Sequence, residues 1–324
     1  MSGSNDDRAG AREGFAPREL DEIEAAAAVR PPVVFETIRR QGREEMSRPT
    51  TALALSGVAA GIAMGFSVLA QGVLMVALPE GDLRPVVAAL GYSLGFLIVI
   101  LGQMQLFTEN TITPVTVALE RPTPAVFACL GRLWAVVFLA NIVGAALFAA
   151  AMVGLRLTEP EVLEAMVDLG RHATEKTFWE TLARGMPAGW LIAALVWLSP
   201  TAGNARALMI IAITWLIALA GFTHVVAGSA KAALMVFTGA AEAREVYLGY
   251  VVPAVLGNVI GGSALFTLLV WGQIRTELPP ATEAGRETAT ETATGAGDDA
   301  RTDDARNPAQ GRATTDGALR KAEA

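Results

Sequence analysis

Six long apolar stretches organise this chain, at 51–79, 85–108, 133–155, 185–205, 207–230 and 246–274. Each reaches the roughly 20 residues that a helix needs to cross a hydrocarbon core of about 30 Å. The pattern predicts an all-α membrane protein with six transmembrane helices over residues 50–275. Two stretches are interrupted. The second turns polar at Gly102–Pro114, "GQMQLFTENTITP", and the fifth at Gly221–Phe237, "GFTHVVAGSAKAALMVF". Irregular backbone at membrane depth persists only where it lines a cavity or is buried in protein. Both interruptions therefore predict broken helices beside a solute path. For the fifth stretch the expected break lies near Gly228, with a short half-helix after it.

The core also repeats. "GVAAG" at 57–61 matches "GMPAG" at 185–189, and "NIVGAALF" at 141–148 matches "NVIGGSALF" at 258–266. Each match falls at the corresponding place in a three-helix half. Three spans per half is an odd number, so the second half is expected upside down relative to the first. Inverted repeats place their solute path at broken helices in matching positions. The paired G-x-x-x-G segments have a packing reason, because small residues let helix backbones approach closely.

Composition agrees with the pattern: 52% of the 324 residues are hydrophobic, and mean hydropathy is +0.43. The net charge of −7 gathers acid in the ends. Residues 1–30 read as a disordered acidic tail and 276–324 as a disordered polar tail, since neither holds enough apolar surface to fold. Residues 31–49 combine Val33, Val34, Phe35 and Ile38 with Arg39, Arg40, Arg43 and Arg48. That segment reads as an amphipathic interfacial helix. Its arginines place the N-terminus in the cytoplasm, and six spans return the C-terminus to the same side. The first 30 residues lack the apolar region of a cleavable signal peptide, so the first span is expected to direct insertion.

Chemistry-bearing residues are sparse. Cys129 is the only cysteine, which excludes an intrachain disulfide. His224 is the only histidine in any expected span, and an ionisable residue inside a membrane is a functional candidate. Glu109 and Lys231, near the two interruptions, are candidates for gating or pH sensing. A membrane enzyme would need metal ligands or a nucleophile with its base, which one histidine and an isolated cysteine do not supply. No ATP-binding motif is present. We expect no enzyme, no cofactor and no nucleic-acid partner.

At the interruptions the chain resembles the formate/nitrite transporter family, over roughly residues 43–275. The residues that carry the resemblance are Leu106-Phe107-Thr108 followed by Asn110-Thr111, then Gly221-Phe222-Thr223-His224, and the "SGV-x-AG-x-x-x-GF" pattern at 56–66. The resemblance implies a homopentamer of aquaporin-like protomers in the inner membrane, each with its own pore for small monovalent anions such as formate, nitrite or hydrosulfide. By position, His224 matches the central histidine and Thr108 the threonine bonded to it. Leu106 and Phe107 match the cytoplasmic constriction, and Tyr92 and Ile217 the outer one. The chain departs from the family at Glu109, where a small residue is common, and at Gly189, in place of an asparagine. It also departs at Ala173, in place of a vestibule lysine; His172 and Lys176 stand close by as vestibule candidates. The expected mechanism has His224 lending a proton to a weak acid that crosses the apolar ring as a neutral molecule. Channels for neutral solutes, and a membrane scaffold or sensor acting through the tails, remain as alternatives.

Overall fold

The computed structural model describes residues 29–277, and every regular element among them is helical. The expectations for the two tails lie outside these residues. The helices are α1 (Pro31–Ser47), α2 (Thr50–Ala77), α3 (Leu83–Leu101), α4 (Thr113–Glu120), α5 (Pro124–Gly154), α6 (Pro160–Thr174), α7 (Phe178–Leu198), α8 (Arg206–Leu219), α9 (Val225–Phe237) and α10 (Ala243–Ile274). Five of them, α2, α3, α5, α7 and α10, are long and apolar enough to cross a membrane. The sixth expected crossing is divided between α8 and α9, each too short to span alone.

Local signals set the helix starts. Thr177 accepts a hydrogen bond from the Glu180 N–H, and the Glu180 carboxylate accepts one from the Thr177 N–H. This reciprocal cap satisfies two otherwise unpaired donors. It starts α7 at Phe178, earlier than the apolar stretch alone implies. Thr123 and Pro124 do the same for α5, through the Thr123 hydroxyl cap and a proline at the first helical position.

Two elements differ from expectation. In α1, Val34, Phe35 and Ile38 are buried. Val34 and Ile38 pack with Ile112, Ala193 and Phe266. The apolar face expected to rest on the bilayer surface is thus covered by protein. Residues 160–174 fall between the third and fourth apolar stretches, yet α6 forms there and buries Val162, Met166, Val167 and Gly170 at helical spacing. A stretch too short and too charged for a span hides this amphipathic period.

The repeat extends to individual contacts. A Cβ on Gly61 of α2 would lie 2.2 Å from the Asn141 carbonyl oxygen of α5, and one on Gly189 of α7 would lie 2.2 Å from that of Asn258 of α10. Val58 and Met186 likewise bring their carbonyl oxygens against Gly144 and Gly261. Only glycine admits backbones this close. The repeat also reaches one helix further back than the sequence matches. α1 leads the first half and packs on α4 through Gly42, and α6 leads the second and packs on α9 through Gly170. Each half is therefore a leading helix, a span, a broken span and a closing span.

Candidate functional site: two helix breaks and the wall between two mouths

Breaking a helix frees backbone donors and acceptors, and lipid offers them no partner. One asparagine per half answers this. Asn141 of α5 donates from Nδ2 to the Gln105 and Gly57 carbonyls at 2.9 and 2.8 Å, and its Oδ1 accepts the Phe107 N–H at 2.9 Å. Asn258 of α10 donates to the Thr223 and Gly185 carbonyls at 2.7 and 2.9 Å, and accepts the Val225 N–H at 2.8 Å. The two sets correspond residue for residue: Gly57 with Gly185, Gln105 with Thr223, Phe107 with Val225. Neither asparagine was singled out as a site residue from the sequence. A signal existed, because each opens one of the repeated "N…GA-LF"-type segments inside an apolar span.

The first break runs from Gly102 to Ile112 and turns at Gln103 (φ 50°). Ser56 accepts the Gln105 N–H at 3.0 Å, Trp134 donates to the Asn110 carbonyl at 2.8 Å, and Ser263 donates to that of Thr111 at 2.7 Å. The second break is short, at 220–224, with Gly221 at φ 63° making the turn. This corrects the expected position near Gly228. Gly228 lies inside α9, where a Cβ would sit 2.1 Å from the Tyr250 hydroxyl oxygen. Its lack of a side chain serves packing, while the Asn258 pin fixes the break at 223–225.

The two breaks meet through side chains. Thr108 Oγ1 lies 2.8 Å from His224 Nε2, with Thr108 0% and His224 1% exposed. His224 also caps α9, where its Nδ1 accepts the Ala227 N–H at 3.3 Å. These partners assign the tautomer: Nδ1 is the acceptor, so the neutral ring carries its hydrogen on Nε2 and donates to Thr108. Phe96 stacks edge-on against the imidazole with centroids 4.9 Å apart, and Tyr92 packs on Phe96 at 5.2 Å.

Leu106, Phe107, Tyr92 and Ile217 are all buried and belong to one apolar cluster. Phe107 sits edge-on to Phe138 at 5.1 Å and to Trp134 at 5.9 Å. On either side of this wall lies a cavity. One, of about 860 Å³, opens beside α1 and is lined by Glu45, Gln105, Leu106, Glu109, Asn110, Ser199 and Arg206 among others. The other, of about 450 Å³, opens beside α6 and is lined by Arg171, Lys176, Glu245 and Tyr250 among others. Ser199 and Phe178, one lining each cavity, flank the two ends of α7, so the mouths are roughly 30 Å apart at 1.5 Å rise per residue.

Not all of the remaining candidates line a mouth. Glu109 lines the α1 mouth, with its Oε1 buried and unpaired. Lys231 lines neither mouth; its Nζ lies against the wall, 5.6 Å from the Tyr92 ring centre. Lys176 lines the α6 mouth and donates to the His172 carbonyl at 2.6 Å. Burial, then the nearby Arg184, pushes the Lys176 amine below its ordinary pKa. His172 is exposed, bonds back to Asp168 of its own helix at 2.8 Å and does not line the cavity. Among the described residues no group of three or more His, Cys, Asp or Glu side chains is arranged to hold a metal.

A helical membrane bundle with two pinned breaks, meeting in a closed wall between two polar mouths, has the build of a multi-pass channel or transporter. A sequence profile of the formate/nitrite transporter family matches residues 32–272. This chain belongs to the formate/nitrite transporter family. It is 39% identical over 245 residues to the inner membrane protein YfdC of Escherichia coli K12, spanning 76% of this chain and 79% of that protein. It is 27% identical over 248 residues to the uncharacterized transporter YrhG of Bacillus subtilis 168, spanning 74% and 91%. Among solved structures, an FNT family ion channel matches with TM-score 0.62 at 19% identity, covering 75% of this chain and 98% of that one. A pentameric formate channel with formate bound matches with TM-score 0.56 at 19% identity, covering 68% and 96%. At these identities the structures speak for the fold.

Proposed function

We propose that this chain forms an inner-membrane channel for small monovalent anions of the formate, nitrite or hydrosulfide type, with Thr108 and His224 at the centre of the path. The observation that carries the reading is the Thr108–His224 hydrogen bond, held in the wall between the two mouths. A bare anion pays heavily to enter such an apolar wall. Protonation removes that cost. The relay begins when His224 takes a proton on Nδ1, releasing its long cap contact to Ala227. The imidazolium then passes the Nε2 proton to Thr108 Oγ1, and the Thr108 hydroxyl gives its own proton to the anion. Neutral His224 is left with its hydrogen on Nδ1; exchange with water, which removes that hydrogen and returns one to Nε2, restores the starting tautomer and the cap on α9. The neutral acid crosses the ring of Leu106, Phe107, Tyr92 and Ile217. We further infer a homopentamer with one pore per protomer, an inverted second half, and both termini in the cytoplasm.

The test is formate and nitrite flux into liposomes against pH, for the wild type, Thr108→Val, His224→Ala and His224→Asn. Asparagine caps a helix well and offers an N–H donor, but it does not take up a proton. Wild-type flux should saturate and rise on acidification. His224→Ala and Thr108→Val should lose about a hundredfold or more, in the range of a lost proton-transfer group. His224→Asn should be equally slow. If His224→Asn conducts at the wild-type rate with unchanged pH dependence, the relay is wrong and His224 acts only as a cap and fixed donor.

A further inference from the structure

The α1 mouth holds two charged side chains that each keep one buried polar atom unpaired. Glu109 Oε1 and Arg206 Nε are both buried without a hydrogen-bond partner among the described residues, and both line the same 860 Å³ cavity. They do not pair with each other. Their neighbours are differently placed. Both Glu45 oxygens are satisfied, one by Gln41 Nε2 at 3.0 Å and the other by the Thr113 hydroxyl. Asn110 Nδ2 donates to Gln105 Oε1 at 3.2 Å. Glu44 lies at the exposed rim, and Arg48 is half-buried. The two side chains, each with one buried atom left unpaired, thus line one space, with Leu106 on its wall and Thr108 next in sequence to Glu109.

Buried polar atoms in folded proteins are nearly always paired, so such orphans point to a partner. We propose that Glu109 and Arg206 form a two-point docking site for a small weak oxyacid that shares one proton with Glu109. The Arg206 guanidinium donates to one oxygen of the solute. A single proton, drawn from water in the mouth, is held between the other solute oxygen and the Glu109 carboxylate. The assembly of guanidinium, shared proton and two acid groups is neutral overall, which lowers the cost of burying it. The anion of a strong acid cannot share that proton and meets the Glu109 charge instead. The site therefore selects formate-like weak acids over nitrate-like anions, before Thr108 and His224 are reached.

This inference rests on the pore reading, and the experiment separates the two. Formate flux and its inhibition by nitrate are measured in vesicles of known protein orientation, for the wild type, Glu109→Gln and Arg206→Gln. Melting temperature and oligomer size are followed in parallel. Absence of formate flux in a correctly assembled wild type overturns the pore reading itself. If the wild type conducts, each variant should raise the half-saturating formate concentration at the α1 side at least tenfold, and leave that at the α6 side unchanged. Glu109→Gln should also make nitrate several-fold more potent as an inhibitor of formate uptake from the α1 side, because the charge that turned it away from the mouth is gone. Its melting temperature should hold or rise, because an unpaired buried carboxylate has been removed. Half-saturation within twofold of wild type at the α1 side in both variants overturns the site. So does a melting temperature several degrees lower in Glu109→Gln, which would reveal a structural partner for the carboxylate.

Discussion

At the first break, Asn141 holds the backbone of 105–107 between two carbonyls and one N–H; at the second, Asn258 holds 223–225 in the same way. The pins match, and the lengths of freed backbone do not. The first break covers eleven positions, 102–112, and draws partners from Ser56, Trp134 and Ser263, residues of α2, α5 and α10. The second covers five, 220–224, and closes largely on itself and on the Arg184 carbonyl. A longer unwound stretch needs more side chains to satisfy it. It also exposes more of its own side chains to a mouth, which is how Glu109 comes to line the larger cavity. The short break brings His224 to the centre, where it caps α9 and meets Thr108 at once. The difference teaches that a shared fold repeat still divides the labour: one break builds a vestibule, the other holds a fixed imidazole.

The comparison is broken most sharply at its pins. Asn141→Leu and Asn258→Leu each remove the partner of one backbone N–H and two carbonyls in a buried setting. Each unsatisfied group costs about 1–3 kcal/mol, so either change should remove about 3 kcal/mol or more. Asn258→Leu should be the worse, because its short break has fewer neighbouring side chains to take over. Thermal unfolding in detergent, with oligomer size, measures both. Equal losses would mean that the extra partners of the first break contribute nothing to holding it.

Much of this is legible in the amino-acid sequence. Apolar length gave the spans, the polar interruptions gave both broken helices, and the repeated segments located the halves. Thr108 and His224 were paired only by resemblance, since 116 positions separate them and no local pattern joins them. The break beside Gly228 was misplaced because glycine signals both a turn and a close contact, and the Tyr250 hydroxyl that makes the contact comes from another helix. α6 was missed because a membrane-length window averages its Val162–Met166–Gly170 stripe with the acids between them. Arg206 falls between the fourth and fifth apolar stretches, and nothing in sequence brings the start of α8 to the mouth lined by Glu109.

A finer comparison sets the two leading helices side by side. A Cβ on Gly42 would lie 2.1 Å from the Thr113 carbonyl oxygen, a backbone atom at the start of α4. A Cβ on Gly170 would lie 3.0 Å from Met235 Cγ, part of a flexible side chain, and 3.2 Å from the Lys231 carbonyl oxygen, a far milder backbone approach than that at Gly42. Gly42→Ala should therefore cost about 2 kcal/mol through forced backbone separation. Gly170→Ala should cost less than about 1 kcal/mol, because methionine can move aside. Chemical unfolding of the two variants side by side decides it. A Gly170 penalty equal to that of Gly42 would show that α6 is clamped to α9 as tightly as α1 is to α4.

The smallest effect concerns how α1 holds α4 at Glu45, a contact with no acidic counterpart between α6 and α9, where Thr174 meets Met235 Sδ at 3.3 Å. Burial pushes the Glu45 carboxyl up, against the opposing hydrogen bonds from Thr113 and Gln41. The folded protein thus binds this proton more tightly than the unfolded chain does. Stability from the group is complete below the ordinary carboxylate range and is lost as pH rises through the raised value. Glu45→Gln removes this titration while keeping an acceptor for Thr113. The melting temperature of the wild type should fall relative to Glu45→Gln as pH is raised from about 4 to neutrality, and the two should converge at the acid end. Parallel curves across that window would mean that the Thr113 and Gln41 hydrogen bonds fully offset burial, leaving the α1–α4 contact as indifferent to pH as the α6–α9 one.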